Sequence, residues 1–273
     1  MTRSPYRGPL KAVVFDWAGT MVDHGSRAPM DAFLRAFAKF GIALSVADAR
    51  GPMGLPKMDH ILAIARLPHV AQAWEMRHGR PFSRSDAEAV FAVFEPMTIE
   101  AVRAHAALIP GAREAAEACR ARGLKIGSTT GYTRPVMAVL APLAAAQGYT
   151  PDCMICAGDL PAGRPTPCMM YANFAQLGVF PPEAVVKVDD TAPGIAEGVA
   201  AGCWTVGVAL TGNEVGLSAE ELAALPEEQR VPLRTRVEAA LREAGARWVI
   251  GSVAELPALL PTIEAALARG ETP

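Results

Sequence analysis

The sequence predicts an α/β protein, a Rossmann-like parallel sheet core with an inserted all-helical cap domain. Three observations lead there. Residues 11–16, KAVVFD, form a continuous apolar run ending on an acid, the pattern of a parallel strand buried on both faces. Residues 25–102 then carry apolar positions at helical spacing only. From Pro110 onward, short apolar runs alternate with helical patterns, which indicates parallel strands joined by covering helices.

In the helical segment, Phe33, Leu34, Phe37 and Phe40 predict a helix over 30–40. Met58, Ile61, Leu62 and Ala65 predict another starting near Pro56, with the proline in its first turn. Val90, Phe91, Phe94 and Val102 predict a third over about 86–107. After it come helix 112–122, stopped by Gly123, strand 124–129, helix 133–146, strand 153–156 and helix 167–177. Strand 184–189, a short helix from Pro193, strand 204–209, helices within 218–245, strand 247–250 and a helix to about 268 complete the series. The expected division is a core of residues 1–24 and 103–273, with a cap of residues 25–102.

Composition narrows the function. Of 273 residues, 51% are hydrophobic and 20% charged, so the chain can offset its ordering entropy and is not expected to be disordered. A formal charge of -2 offers no broad attraction to nucleic acid or anionic membrane, so neither is an expected partner. Met1 to Leu10 reads as a short lead-in without a signal-peptide run. The apolar stretch around 136–146 is broken by Pro142 and is shorter than the ~20 residues of a membrane span. Five cysteines without framework spacing suit a reducing compartment, and a cytoplasmic location is expected. Cys153 and Cys156 form a CxxC pair, but within a strand pattern and with no second pair, so it is read as structural.

In an open parallel sheet, ligands bind beyond the carboxyl ends of the strands. Four polar endings fall there: Asp16-Trp17-Ala18-Gly19-Thr20, Ser128-Thr129-Thr130-Gly131-Tyr132, Gly163-Arg164-Pro165 and Asp189-Asp190-Thr191. Acids, hydroxyls, glycine backbone and one cation suit phosphoryl chemistry with a divalent metal, and hard oxygen ligands favour Mg2+. Asp16 is the candidate nucleophile, with the metal and Arg164 screening its repulsion from an anionic phosphorus centre. Thr130 and the Gly131 amide are placed to hold phosphoryl oxygens.

This ordered set resembles the haloacid dehalogenase superfamily, whose motifs run from a nucleophilic Asp through a strand-end Ser/Thr and a Lys/Arg to a closing acidic pair. Most phosphatases of that superfamily carry a second Asp two residues after the nucleophile, to protonate an oxygen leaving group. Here that position is Ala18. Halide displacement tolerates the loss, and so does cleavage of a carbon–phosphorus bond. A carbanion leaves only if its electrons have a sink, and a protonated imine on the adjacent carbon is one. An imine needs an amine.

Lys57 is one of only five lysines beside twenty-one arginines, and arginine cannot supply an amine nucleophile. It stands at a predicted helix start, where the dipole and burial both disfavour a cation and lower its pKa. His60 shares its helix face and is placed to move protons. The combination resembles the phosphonoacetaldehyde hydrolase (phosphonatase) family. The resemblance implies hydrolysis of phosphonoacetaldehyde, from 2-aminoethylphosphonate degradation, through a Schiff base on Lys57 and an aspartyl phosphate on Asp16. It further implies Mg2+ held by Asp16, the Ala18 carbonyl and Asp190, phosphoryl binding by Arg164, substrate-binding positions at Thr20, Met53, Gly131 and Tyr132, and a homodimer. Some members have Gly-Asp at the fourth motif and an acid four residues later; this chain has Asp189-Asp190 and Gly194, so Asp189 is expected in an outer-shell role. A 2-haloacid dehalogenase, needing neither metal nor imine, and a catalytically silent phosphonate-binding protein are the alternatives.

Overall fold

A computed structural model describes residues 6–273; the first part of the expected lead-in, residues 1–5, lies outside them. The strands are β1 (Ala12–Phe15), β2 (Lys125–Thr133), β3 (Cys153–Ala157), β4 (Val185–Asp189), β5 (Trp204–Val208) and β6 (Trp248–Ile250). They form a six-stranded parallel sheet in the order β3-β2-β1-β4-β5-β6. β1 lies between β2 and β4, with Phe15 level with Ser128 on one side and Val188 on the other. The polar residues that follow these three strands therefore meet at one edge, beside the point where the strand order reverses.

The helices between β1 and β2 are α1 (Arg27–Lys39), α2 (Val46–Arg50), α3 (Lys57–Ala65), α4 (Pro68–His78), α5 (Arg84–Ala104) and α6 (Ala112–Ala121). α7 (Arg134–Ala145), α8 (Cys168–Leu177), α9 (Ala192–Ala201), α10 (Ala219–Ala224), α11 (Glu227–Glu243) and α12 (Leu256–Ala268) follow. The sheet is buried on both faces, as its apolar strands require. Val13, Phe15 and Ile126 pack with residues of α6 and α12, such as Ala115 and Leu260. Ala12, Val14 and Val185 face the opposite layer, which includes Met170 and Phe174 of α8.

α1 to α5 enclose a separate apolar cluster drawn only from this insert, including Phe33, Phe37, Ile61, Trp74 and Phe94. Each fully buried large apolar side chain contributes roughly 1.5–3 kcal/mol. Phe33 stacks on Phe94 with centroids 4.2 Å apart, so these aromatics fill the insert's own core. α5 starts at a capping box, in which the Ser83 side chain and Asp86 satisfy each other's orphan amides. It runs unbroken through position 102, placing Phe94 in the insert's cluster and Val102 in the sheet's.

Some elements differ from expectation. α2 and α4 have no counterpart in the pattern: α2 is five residues long, and α4 buries only Val70 and Trp74, too few for a legible stripe. Pro56 is the N-cap of α3 and Lys57 is its first residue. β2 reaches Thr133 instead of ending near 129, because its pairing with β3 shifts between Thr130 and Thr133 and pushes Gly131 and Tyr132 out of the ladder. Among the described residues, no helix is long and apolar enough to cross a membrane.

Candidate active site

A cavity opens where the strand ends meet the insert, lined by Asp16 and Ala18 after β1, Thr130, Gly131 and Tyr132 of the β2 bulge, and Arg164. The insert contributes Ser26, Pro29, Met53, Gly54 and Lys57, and Thr191 lines it below Gly54. The loop before α3 sits very close to the core: Gly54 has φ +92°, and a Cβ there would lie 2.5 Å from Thr191 Oγ1. Only glycine fits both the conformation and the gap.

Lys57 is 6% exposed and has no carboxylate partner within ion-pair distance among the described residues. Its Nζ lies 3.8 Å from Met53 Sδ and 5.7 and 5.6 Å from the centres of the Phe33 and Tyr132 rings. Burial lowers its pKa from 10.5 to about 8, against the pull of Asp16 and with the push of Arg164. His60 packs against Phe33, the rings tilted by 31°, behind the cavity wall, and its Nε2 lies 2.9 Å from the Ala49 carbonyl oxygen. That contact requires the proton on Nε2, so Nδ1 is the lone-pair nitrogen, and it has no hydrogen-bond partner. Burial, then Lys57, hold the ring far below its usual pKa, hence neutral.

Arg164 is buried among acids. Its Nη2 donates to Asp16 Oδ1 at 2.7 Å, to the Thr129 carbonyl at 2.8 Å and to Thr129 Oγ1 at 3.0 Å, while Nε donates to Glu197 Oε2 at 3.2 Å. Burial opposes its charge, but Asp189, Asp16 and Glu197 outweigh that and raise its pKa. Asp16 is nevertheless raised to about 6, because burial and the neighbouring Asp189 exceed the help from Arg164 and Lys187. Asp189 is buried yet held below the usual carboxylate range by Arg164, Lys187 and the Thr191 hydroxyl. Asp190 is pushed far above that range by burial and by Asp16 and Asp189.

Asp16, Asp189 and Asp190 can each bring one oxygen within 4.8 Å of the others, a hard donor set fit for a divalent cation. Asp190 fits that use best. It accepts from Thr20 Oγ1 at 3.1 Å and the Asn213 amide at 2.8 Å, and no cation pairs with it among the described residues. Thr20 is thus committed to Asp190 and stands behind the cavity wall, not in it. Gly19, at φ +84°, makes room, since a Cβ there would overlap the Asp190 carboxylate.

Asp189 and Gly194 explain each other: a Cβ at 194 would overlap the Asp189 carboxylate, which occupies the space beside the first turn of α9. Two buried residues that the sequence did not single out, Lys187 and Glu197, also adjoin the site. Their signal was a lysine inside the apolar run 185–188 and a glutamate beside Gly198 in a small-residue helix.

Fold and strand-end residues together define a class, and residues 10–202 match the family model described as haloacid dehalogenase-like hydrolase. The phosphonoacetaldehyde hydrolase of Paraburkholderia phytofirmans is 47% identical over 264 residues, covering 97% of this chain and 99% of that protein. That of Vibrio cholerae is 48% identical, covering 97% and 98%. A crystal structure of a phosphonoacetaldehyde hydrolase-like protein from Oleispira antarctica superposes with a TM-score of 0.98 at 40% identity, over 100% of this chain and 99% of that one. The chain belongs to the phosphonoacetaldehyde hydrolase family of enzymes, within the haloacid dehalogenase-like hydrolases.

Proposed function

We propose that this enzyme cleaves the carbon–phosphorus bond of phosphonoacetaldehyde, the aldehyde formed in 2-aminoethylphosphonate degradation, to acetaldehyde and phosphate. The observation that carries the mechanism is Lys57, a buried amine with a pKa of about 8, in one cavity with Asp16 and Arg164. Close relatives named for this activity support the substrate.

The Lys57 amine adds to the aldehyde, and loss of water leaves a protonated imine beside the phosphorus-bearing carbon. His60, one turn along α3 from Lys57 and with its Nδ1 lone pair unengaged, is the base proposed for these proton transfers. Asp16 attacks phosphorus; as the carbon–phosphorus bond breaks, its electrons move into the imine and give an enamine. Protonation of that enamine at carbon and hydrolysis of the resulting imine release acetaldehyde and regenerate Lys57. Water then hydrolyses the aspartyl phosphate. Because carbon accepts the electrons, the attack step needs no acid for an oxygen leaving group, consistent with Ala18.

Arg164, Thr130 and the Gly131 amide bind phosphoryl oxygens, and Met53 and Tyr132 pack around Lys57. Asp16, the Ala18 carbonyl and Asp190 would hold Mg2+, which supplies positive charge against the phosphoryl oxygens, with Asp189 in the outer shell. Residues 25–102 act as the cap, and the enzyme works as a cytoplasmic homodimer.

Borohydride reduction in the presence of substrate, followed by peptide mass spectrometry, tests the imine; an unlabelled Lys57 sinks it. Chloride release from a 2-haloacid that persists in chelator would favour the dehalogenase alternative. Mg2+ should raise the melting temperature through binding to the folded state, and Asp190→Asn should erase that shift.

A further inference from the structure

Beneath the cavity lies a charged pair that never reaches it. Lys187 on β4 and Glu197 on α9 are both 0% exposed, and neither lines the cavity. Lys187 Nζ donates to Thr129 Oγ1 at 2.7 Å and pairs with Asp189 Oδ2 at 3.0 Å and Glu197 Oε2 at 3.3 Å. The same Glu197 oxygen accepts the Thr129 hydroxyl at 2.8 Å and Arg164 Nε at 3.2 Å. α9 comes this close because residue 198 is glycine, where a Cβ would lie 2.8 Å from the Lys187 stem.

Buried ion pairs rarely stabilise a protein more than apolar residues of similar size, so stability alone is a weak reason for this one. Its geometry supplies another. Arg164 is gripped at Nε by Glu197 and at Nη2 by Thr129 and Asp16. These bonds fix the plane of the guanidinium. Without Lys187, Arg164 alone would face three carboxylates, Asp16, Asp189 and Glu197, and the two beneath the cavity would draw its charge inward.

We propose that Lys187 and Glu197 are positioning residues for Arg164: Glu197 sets the orientation of the guanidinium, and Lys187 balances Glu197 so that the arginine's charge faces a phosphoryl group. This rests on the phosphonate reading of the cavity. Neither residue touches substrate.

The test uses the full-length enzyme and two probes: inorganic phosphate, which reports on Arg164, and borohydride trapping of acetaldehyde at Lys57, which lacks a phosphoryl group. Glu197→Gln keeps the side chain's shape. It should weaken phosphate binding roughly tenfold, because Nε loses its charge-assisted hydrogen bond and the guanidinium is free to turn, and raise KM more than it lowers kcat, while acetaldehyde trapping stays unchanged. The double variant Lys187→Met/Glu197→Gln should lose less than the product of the two single losses, because neither charge is then left unpaired. If Lys187→Met alone does not fold, Glu197→Gln carries the test.

Unchanged phosphate affinity in Glu197→Gln overturns the proposal. So does a parallel fall in phosphate binding and trapping, which marks general disruption. If phosphate binding weakens tenfold but no variant, nor the unsubstituted enzyme, is trapped at Lys57, the imine mechanism fails and the positioning pair stands.

Discussion

Arg50, the last residue of α2, points its Nη1 at the main-chain oxygen of Asn213 at 2.8 Å and at its side-chain oxygen at 3.1 Å. The guanidinium also donates to the carbonyls of Gly25 and Gly216, and the Asn213 amide donates to Asp190 Oδ2. One side chain of the helical insert thus grips the core loop that holds a candidate metal ligand, three residues before Met53. Arg50→Met is expected to lower kcat/KM by roughly tenfold or more, since several charge-assisted hydrogen bonds are lost. Cleavage of the 51–56 loop in limited proteolysis should accelerate while the core remains resistant.

The lowered pKa of Lys57 sets a pH dependence. The amine carries its proton below about 8 and is free above it, so the rate of trapping should climb with pH, reach its midpoint near 8 and level off above that. An unburied lysine would have its midpoint near 10.5. Trapping rates across this range in Lys57-labelled peptide settle which holds.

The same burial costs stability. The folded state binds the Lys57 proton less tightly than the unfolded chain, so the destabilisation is full below about 8 and fades as pH rises to 10.5. Lys57→Met removes the buried charge. It should abolish turnover yet raise stability at pH 7 by up to about 3 kcal/mol, a margin that shrinks in alkaline solution and is measurable by denaturant unfolding.

Gly54 and Gly79 both have positive φ, but only Gly54 faces a wall; a Cβ at Gly79 meets nothing within 4 Å. Gly79→Ala should therefore cost about 1 kcal/mol of stability and leave activity intact. Gly54→Ala must push the loop off Thr191. Displacements of this kind near a reacting centre cost up to about a hundredfold in rate, and kinetics on the two variants side by side would show the contrast.

Much of the fold and of the site is legible in the sequence. Parallel strands announce themselves because both faces are buried, so KAVVFD, and the run ending at Asp189, read as apolar stretches closed by acids. Lys57 stood out because lysine is scarce here. The helices α2 and α4 did not, since one is a single turn and the other buries only two side chains. Thr20 carried no sign that its hydroxyl turns to Asp190 instead of the cavity. Lys187 and Glu197 were hidden for a different reason: ten residues apart on a strand and a helix, they meet only once the crossover closes.

The overlap between a side chain at 194 and the Asp189 carboxylate also constrains how such a site can drift. Two backbone positions compete for one carboxylate-sized space, so acids at both cannot coexist without displacing the start of α9. A lineage moving the acid from one position to the other must pass through a form with none, or through a strained form with two. The order of the two substitutions therefore matters, and in this chain Asp189 is tolerated only while residue 194 carries no side chain.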